Sequence, residues 1–206
     1  MSTSGSTASC LTRFVTDPWS TVKVIVPSIA IEVILHKKVW EKASLRHLTL
    51  YLTMANVYWF ATSFNVGFLE TPLLCKVTDS LNKSQKLDLG RNRLGWLNKI
   101  ELAIGVVTLD LFCEWRKRII DHDGFVDAVL TTAVLAPAAI SLAQGAYILP
   151  KLKECCLPSD KVPTVTAGGD SCCSEKSCCR LYLGIEVAKV AGLAVAGLRF
   201  GKMLTV

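Results

Sequence analysis

The chain has 206 residues, of which 51% are hydrophobic and 19% are charged, and its formal net charge is +6. Soluble domains carry about 25% charged residues, so this chain is unusually apolar for its length. The composition excludes an intrinsically disordered protein, a small disulfide scaffold and a basic nucleic-acid-binding arm, and it favours a helical membrane protein whose main partner is the lipid bilayer.

The first apolar segment, residues 19–36, follows a Ser/Thr-rich start that lacks the basic flank and continuous apolar core of a signal peptide. We expect residues 1–18 to form a disordered tail. The apolar segment itself is interrupted by Lys23, Pro27 and Glu32. It is therefore predicted to be a fifth helix that either lies in the membrane interface or crosses the bilayer.

Four further segments have the length of a transmembrane helix, which must cover a hydrocarbon core about 30 Å thick. Residues 48–69 and 128–149 carry no charge, although Pro137 interrupts the second of them. Residues 94–115 and the last segment, 181–206, do contain charges. The predicted fold is an all-α polytopic membrane helix bundle, with residues 19–149 and 181–206 separated by a flexible loop, 150–180.

Charged residues within these spans cost roughly 2.5 to 3.5 kcal/mol each at mid-bilayer unless they are paired or hidden in the bundle. Glu186 and Lys189 share a helical face, and Glu101 and Lys189 fall near the middle of their spans, which permits a Glu101–Lys189 pair between helices. Two interpretations remain open. The pair fixes helix register, or Glu101, Asp110 and Glu186 form a proton or ion relay.

Small residues recur every four positions in two of the spans, a pattern that lets membrane helices pack closely. The pattern predicts a tight contact between the third and fourth main spans, with Gly197 and Gly201 beginning a second ridge. The two repeating sets are Ala133, Pro137, Ser141 and Gly145 in one span, and Gly184, Ala188, Gly192 and Ala196 in the other.

The loop 150–180 holds six of the nine cysteines as three adjacent pairs. S-acylation is one interpretation for the four cysteines nearest the spans, Cys155, Cys156, Cys178 and Cys179. Capture of a soft ion such as copper or zinc is a second, with Cys172, Cys173, Cys178 and Cys179 as ligands. Disulfide stapling is a third, and it requires an oxidising compartment.

Familiar catalytic motifs are absent, including the phosphate-binding, dinucleotide-binding, serine-nucleophile and zinc-protease patterns. The stretch Asp121-His122-Asp123-Gly124 has the residue types of a metal site, but these residues just before a helix are more simply a turn and cap. Enzymes can lack all of these motifs, so the sequence names no catalytic residue and favours a non-enzymatic function over an enzymatic one.

Residues 47–68 resemble the small four-helix membrane family that includes transmembrane protein 205 of animals. The resemblance lies in His47-Leu48, Trp59, Thr62 and Gly67-Phe68, together with the Gly/Ala-rich last helix. It implies a multi-pass protein of vesicle or surface membranes, linked to tolerance of toxic metal drugs and without an established reaction. The cysteine pairs depart from what the resemblance explains.

These observations predict a small integral membrane protein whose thiol-rich loop binds or senses soft metals or metalloids. An accessory subunit of a larger membrane complex, with acylated or incidental cysteines, is the alternative. A transporter or membrane enzyme that uses Glu101, Asp110, Glu186 and Lys189 is a third hypothesis.

Overall fold

The computed structural model describes residues 19–70, 83–150 and 175–205. The described residues are mostly helical and contain no strand, which confirms the all-α class. A 3₁₀ turn, Trp40–Lys42, joins the first two helices, and π-helical stretches continue the second helix as Asn65–Glu70 and the fourth as Gln144–Ile148. The helices are α1 (Ser20–Lys38), α2 (Leu45–Phe64), α3 (Lys83–Asp121), α4 (Ala128–Ala143) and α5 (Glu175–Thr205).

Four of the helices form a closed ring, α2 to α5. Each packs against the next along the chain, and α5 packs back against α2. Helix α1 packs on the outer face of α3. Thr21 contacts Lys99 near the start of α1, and His36 contacts Asp110 near its end, so α1 runs parallel to α3. The first apolar segment therefore lies along the bundle and not across its ends.

The structure corrects two predicted boundaries. Helix α3 begins at Lys83 and not near residue 94, and α5 begins at Glu175, inside the segment 150–180 that was predicted to be a flexible loop. The predictions relied on apolar length, whereas the first turns of both helices are polar. The predicted tail, 1–18, and residues 151–174 of the predicted loop lie outside the described residues.

The connection between α1 and α2 is held by Arg118 of α3. Its guanidinium donates hydrogen bonds to the backbone carbonyls of Trp40 (2.8 Å), Glu41 (2.9 Å) and Ala43, while its Nε donates to a Glu114 carboxylate oxygen at 2.9 Å. A guanidinium can serve these acceptors together because its N–H groups form a planar fork. This one side chain thus fixes how α1 and α2 meet the end of α3.

We expect Arg118→Lys to lower the free energy of unfolding by about 1.5 to 3 kcal/mol, because an ammonium cannot reproduce the fork and leaves carbonyls unpaired. Thermal unfolding followed by circular dichroism measures the change. The matched control is Arg116→Lys at an exposed position two residues earlier. Equal losses in the two variants would contradict a specific role for Arg118.

The connection between α3 and α4 is a turn followed by a cap, as predicted. The N–H of Gly124 donates to the carbonyl of Ile119 at 2.9 Å, and Asp123 has a positive φ of 56°, which is the arrangement that commonly ends helices. Asp127 then caps α4 by accepting a hydrogen bond from the N–H of Val129 at 3.1 Å. The cluster at 121–124 is therefore a helix end.

Asp127 gives the α4 cap a defined pH dependence. The hydrogen bond from Val129 and the neighbouring Arg199 hold the pKa of Asp127 below its usual range. A carboxylate with a lowered pKa stabilises the fold at pH values above its unfolded pKa, about 3.9, and loses this contribution as the pH falls through the folded pKa. We expect the wild type to lose more stability on acidification from about pH 5 to pH 2 than Asp127→Asn, in paired unfolding curves.

Small residues form part of the contact between α4 and α5. A Cβ placed on Gly192 would lie 3.2 Å from the Cγ of Pro137, whereas Gly145 of the α4 set faces Asn98 of α3 and Thr21 of α1. Gly197 and Gly201 instead face Val57 and Thr53 of α2. The predicted contact is thus confirmed at Gly192, but Gly184 has no neighbour within 4 Å of its Cβ position.

Candidate functional site: a buried charged centre

Three charged side chains meet at the middle of the bundle and are called here the charged centre: Glu101 of α3 and Glu186 and Lys189 of α5. The Nζ atom of Lys189 lies 2.7 Å from Glu101 Oε2 and 2.8 Å from Glu186 Oε2. All three side chains are at most 1% exposed. The pair predicted between Glu101 and Lys189 is therefore present, and Glu186 joins it.

Polar groups from α2 and α4 complete the charged centre. Gln144 accepts a hydrogen bond from Lys189 Nζ at 3.1 Å and donates one to Glu186 Oε2 at 2.9 Å. Ser63 of α2 donates to Glu101 Oε1 at 2.5 Å, and Ser141 of α4 lies 3.4 Å from Glu101 Oε2. Each helix of the four-membered ring thus contributes a side chain to one hydrogen-bonded network.

Gln144 and Ser63 were not among the predicted site residues. Gln144 is the only amide side chain in the charge-free stretch 128–149. Because a polar side chain in an apolar span needs a hydrogen-bond partner, this position could have been predicted to join the site. Ser63 gives no comparable signal, because a serine hydroxyl can bond to its own helix backbone and needs no partner.

Asp110 does not belong to the charged centre. Its Oδ2 atom lies 2.8 Å from Nδ1 of His36, near the end of α1. Nine residues of helix separate Glu101 from Asp110, which corresponds to about 13 Å along the axis. The interpretation in which Glu101, Asp110 and Glu186 act as one relay is not supported by this placement.

A second buried carboxylate lies near Asp110. Glu32 of α1 is 4% exposed, and its Oε1 accepts a hydrogen bond from Trp40 Nε1 at 2.6 Å. Together with the His36–Asp110 contact, this places a second polar cluster at the end of the bundle where α1 meets α2. The interior thus contains polar groups at two levels.

A groove of about 420 Å³ lies between α1, α3 and α4. Its walls are mostly apolar and include Ile25, Val106 and Leu135. Glu101 and Ser141 are the polar side chains in its lining. The charged centre is therefore bordered on one side by an apolar groove.

The outer surface of the described helices is rich in large apolar side chains, although the charged centre is inside. Exposed residues of this kind occur on each helix, whereas Gln144, Lys189 and Glu101 have no exposed surface. In soluble proteins, charged side chains seldom lose all contact with water. One example from each helix is Val26 (60%), Met54 (61%), Ile100 (44%), Leu142 (47%) and Val187 (49%).

Within the described residues, one helical stretch has the length and apolar composition needed to cross a membrane. It is Ala128–Ile148, with a mean hydropathy of 1.5. The other spans predicted from the sequence do not meet this criterion in the described part of the chain. By length and composition alone, the described helices include one candidate crossing and not four.

The predicted thiol site lies largely outside the described residues. This holds for Cys155, Cys156, Cys172 and Cys173, while Cys178 and Cys179 are placed only as part of the α5 helix. In ranges 19–70, 83–150 and 175–205, no three His, Cys, Asp or Glu side chains are grouped so that they could hold a metal. His122, in the stretch 121–124 that has the residue types of a metal site, contacts the backbone carbonyl of Arg118 at 2.8 Å.

Comparison of the chain with protein-family models, with curated proteins and with solved structures gave no match. The resemblance to the family of transmembrane protein 205 thus stays a prediction that is based on residues 47–68 and the last helix.

Proposed function

We propose that this chain is a non-enzymatic integral membrane protein in which α1 to α5 all cross the bilayer. The observation that supports it is the distribution of side chains: a charged, hydrogen-bonded interior and an apolar exterior on each helix. Charged residues of membrane helices face the bundle interior and pair there, since lipid cannot solvate them. In water, an apolar exterior and a buried charged interior would both be unfavourable.

For α3 and α5, the hydropathy criterion counts charges without regard to the direction in which the side chains face. Glu101, Glu186 and Lys189 lower the mean hydropathy of α3 and α5, yet these side chains are buried and would not meet lipid. Helix α3 has 39 residues, about 58 Å, so its polar ends would extend beyond a hydrocarbon core of about 30 Å. The charges are thus compatible with a crossing.

Substitution of an exposed residue near the middle of α2 tests this proposal. Met54→Arg is expected to reduce membrane insertion at an apparent cost of about 2.5 to 3.5 kcal/mol, because the guanidinium would face hydrocarbon. The same change on the surface of a soluble protein would alter stability by only about 0.5 kcal/mol. Glycosylation-tagged insertion assays of the full chain measure the difference.

The matched control is Phe125→Arg in the α3–α4 connection, where the wild-type side chain is 91% exposed. We expect this variant to insert like the wild type. Fractionation of lysed cells gives an independent result: the protein should stay with membranes after an alkaline carbonate wash and dissolve only in detergent. Recovery in the detergent-free supernatant would overturn membrane insertion.

We further propose that the thiol-rich segment, which runs from the end of α4 into the first turns of α5, binds a soft metal ion. Helices α4 and α5 pack against each other, so the bundle brings together the two helices that this segment connects. Thiolates prefer Cu(I) and zinc, and Cys172, Cys173, Cys178 and Cys179 are the candidate ligands. The bilayer-embedded helices would then anchor a metal-binding segment.

Elemental analysis of the purified protein after exposure to copper or zinc tests this second proposal. Replacement of Cys172, Cys173, Cys178 and Cys179 by Ser should abolish metal retention. Cys113→Ser, at an exposed position on α3, is the matched control and should retain the metal. If the wild type retains no metal, the accessory-subunit alternative gains support. Acyl chains at Cys155, Cys156, Cys178 or Cys179, released by hydroxylamine, would favour it further, as would migration in a larger assembly on native electrophoresis.

A further inference from the structure

We propose that Glu101 and Glu186 together form a binding site for one proton, which keeps the charged centre electrically neutral. With both carboxylates ionised, two negative charges face the single ammonium of Lys189. An uncompensated charge in a medium of low dielectric constant is strongly unfavourable, and a buried carboxyl group instead takes up a proton. Two carboxylates that share a site cannot both ionise easily.

The neighbouring helices supply no further cation to these carboxylates among the described contacts. From α2 and α4 the contacting groups are the neutral Ser63, Ser141 and Gln144. On α3, the ammonium of Lys99 donates a hydrogen bond to Thr21 Oγ1 of α1 at 2.9 Å. Lys189 is therefore the one cation bonded to Glu101 and Glu186 in this part of the chain.

The hydrogen bonds indicate where the proton can lie. Both oxygens of Glu101 accept hydrogen bonds, and Glu186 Oε2 accepts from Lys189 and Gln144. Glu186 Oε1 has no partner among the described residues, although it is buried. One turn earlier on α5, the hydroxyl of Tyr182 is also buried without a described partner. A proton on Glu186 Oε1 would convert an unsatisfied acceptor into a donor.

Two irregular helical segments meet at Glu186. Gln144, which donates to Glu186, is the first residue of the π-helical stretch that continues α4. Gly67 lies in the π-helical stretch that continues α2, and a Cβ on it would be 3.5 Å from Glu186 Cγ. Such π-helical turns are frequent at functional sites. Their convergence on one carboxyl group supports a binding site over simple packing.

This proposal depends on the burial of three side chains and not on the thiol-rich segment. It also holds whether or not the bundle is in lipid, so its failure is distinguishable from failure of membrane insertion. If the protein is a transporter, this proposal makes the Glu101–Glu186 pair its proton-binding group and leaves Asp110 out. A single proton would then be bonded within a network that joins α2, α3, α4 and α5.

Infrared difference spectroscopy of the folded full-length protein at neutral pH tests the proposal. The carbonyl stretch of a protonated carboxyl group is separate from the bands of carboxylates. Every sample carries Glu32→Gln, so that the buried carboxyl beside Trp40 cannot contribute. We expect the absorption of one protonated carboxyl group to disappear in Glu186→Gln and equally in Glu101→Gln. In each variant the remaining carboxylate pairs one to one with Lys189.

Lys189→Met should have the opposite effect and add a second acid band, since two carboxyl groups remain without a cation. If that variant does not fold, the double variant Glu101→Gln with Lys189→Met should retain one acid band, as in the parent. Glu114→Gln is the matched control, because Glu114 pairs with Arg118 at 2.9 Å and should lose only carboxylate absorption. Loss of carboxylate absorption alone in Glu186→Gln, or an acid band that persists in either single variant, would overturn the proposal.

Discussion

Lys189→Met is expected to lower the free energy of unfolding by about 3 to 5 kcal/mol, because the two buried carboxyl groups lose their only bonded cation and the second one must also take up a proton at neutral pH. The ammonium of Lys189 contacts Glu101, Glu186 and Gln144, so no other side chain at the centre replaces it. Denaturant unfolding of the purified protein measures the loss.

The double variant separates a specific pair from a general loss of polarity. Glu101→Gln should cost less than Lys189→Met, since it leaves one carboxylate facing one ammonium. The double variant should be more stable than the sum of the two single changes predicts, by about 0.5 to 3 kcal/mol, because the partners are in contact. Strict additivity would contradict a direct interaction between Glu101 and Lys189.

Lys202→Met is the matched control on the same helix. Lys202 is exposed near the end of α5, so we expect a change in stability of at most about 0.5 kcal/mol.

The two interpretations of the charged centre differ in their consequences. A centre that only fixes helix register predicts that a stable double variant behaves like the wild type, whereas a carrier predicts that ion movement is lost in the carboxylate variants.

The ion pair could be predicted from the sequence because its physical cause is local. A charge in an apolar span requires a partner, Glu101 and Lys189 fall near the middle of their spans, and Glu186 shares a helical face with Lys189. The environment of Asp110 could not be predicted in the same way. Its partner, His36, belongs to a segment whose position relative to the bundle depends on tertiary packing.

Helix boundaries were less predictable than the helices themselves. Apolar length located α2 and α4 well, but the polar first turns of α3 and α5 carry no signal that distinguishes helix from loop. The role of Arg118 was also not predictable, because basic residues beyond a span usually mark only the membrane boundary. Its contacts with the carbonyls of Trp40, Glu41 and Ala43 depend on the turn between α1 and α2.

The second large loss of stability is expected at the C-terminal end of α5, away from the charged centre, where aromatic side chains pack together. Phe200 has no exposed surface, and its ring centroid lies 5.3 Å from that of Trp115 and 6.4 Å from that of Phe112. Both pairs have the edge-to-face geometry that aromatic rings prefer. We expect Phe200→Ala to lower the free energy of unfolding by about 3 to 5 kcal/mol, because it leaves a cavity between α3 and α5.

Two comparison variants make the Phe200 result specific. Phe200→Leu keeps most of the volume, so its loss should be clearly smaller, since the cost of a truncation grows with the cavity that it leaves. Phe125→Ala removes the same ring from a position that is 91% exposed and should have little effect on unfolding. Because Phe200 contacts no member of the charged centre in the described network, its substitution should also leave the acid absorption of Glu101 and Glu186 unchanged. Unfolding curves that coincide for Phe200→Ala and Phe125→Ala would contradict the packing of α5 against α3 at this end of the bundle.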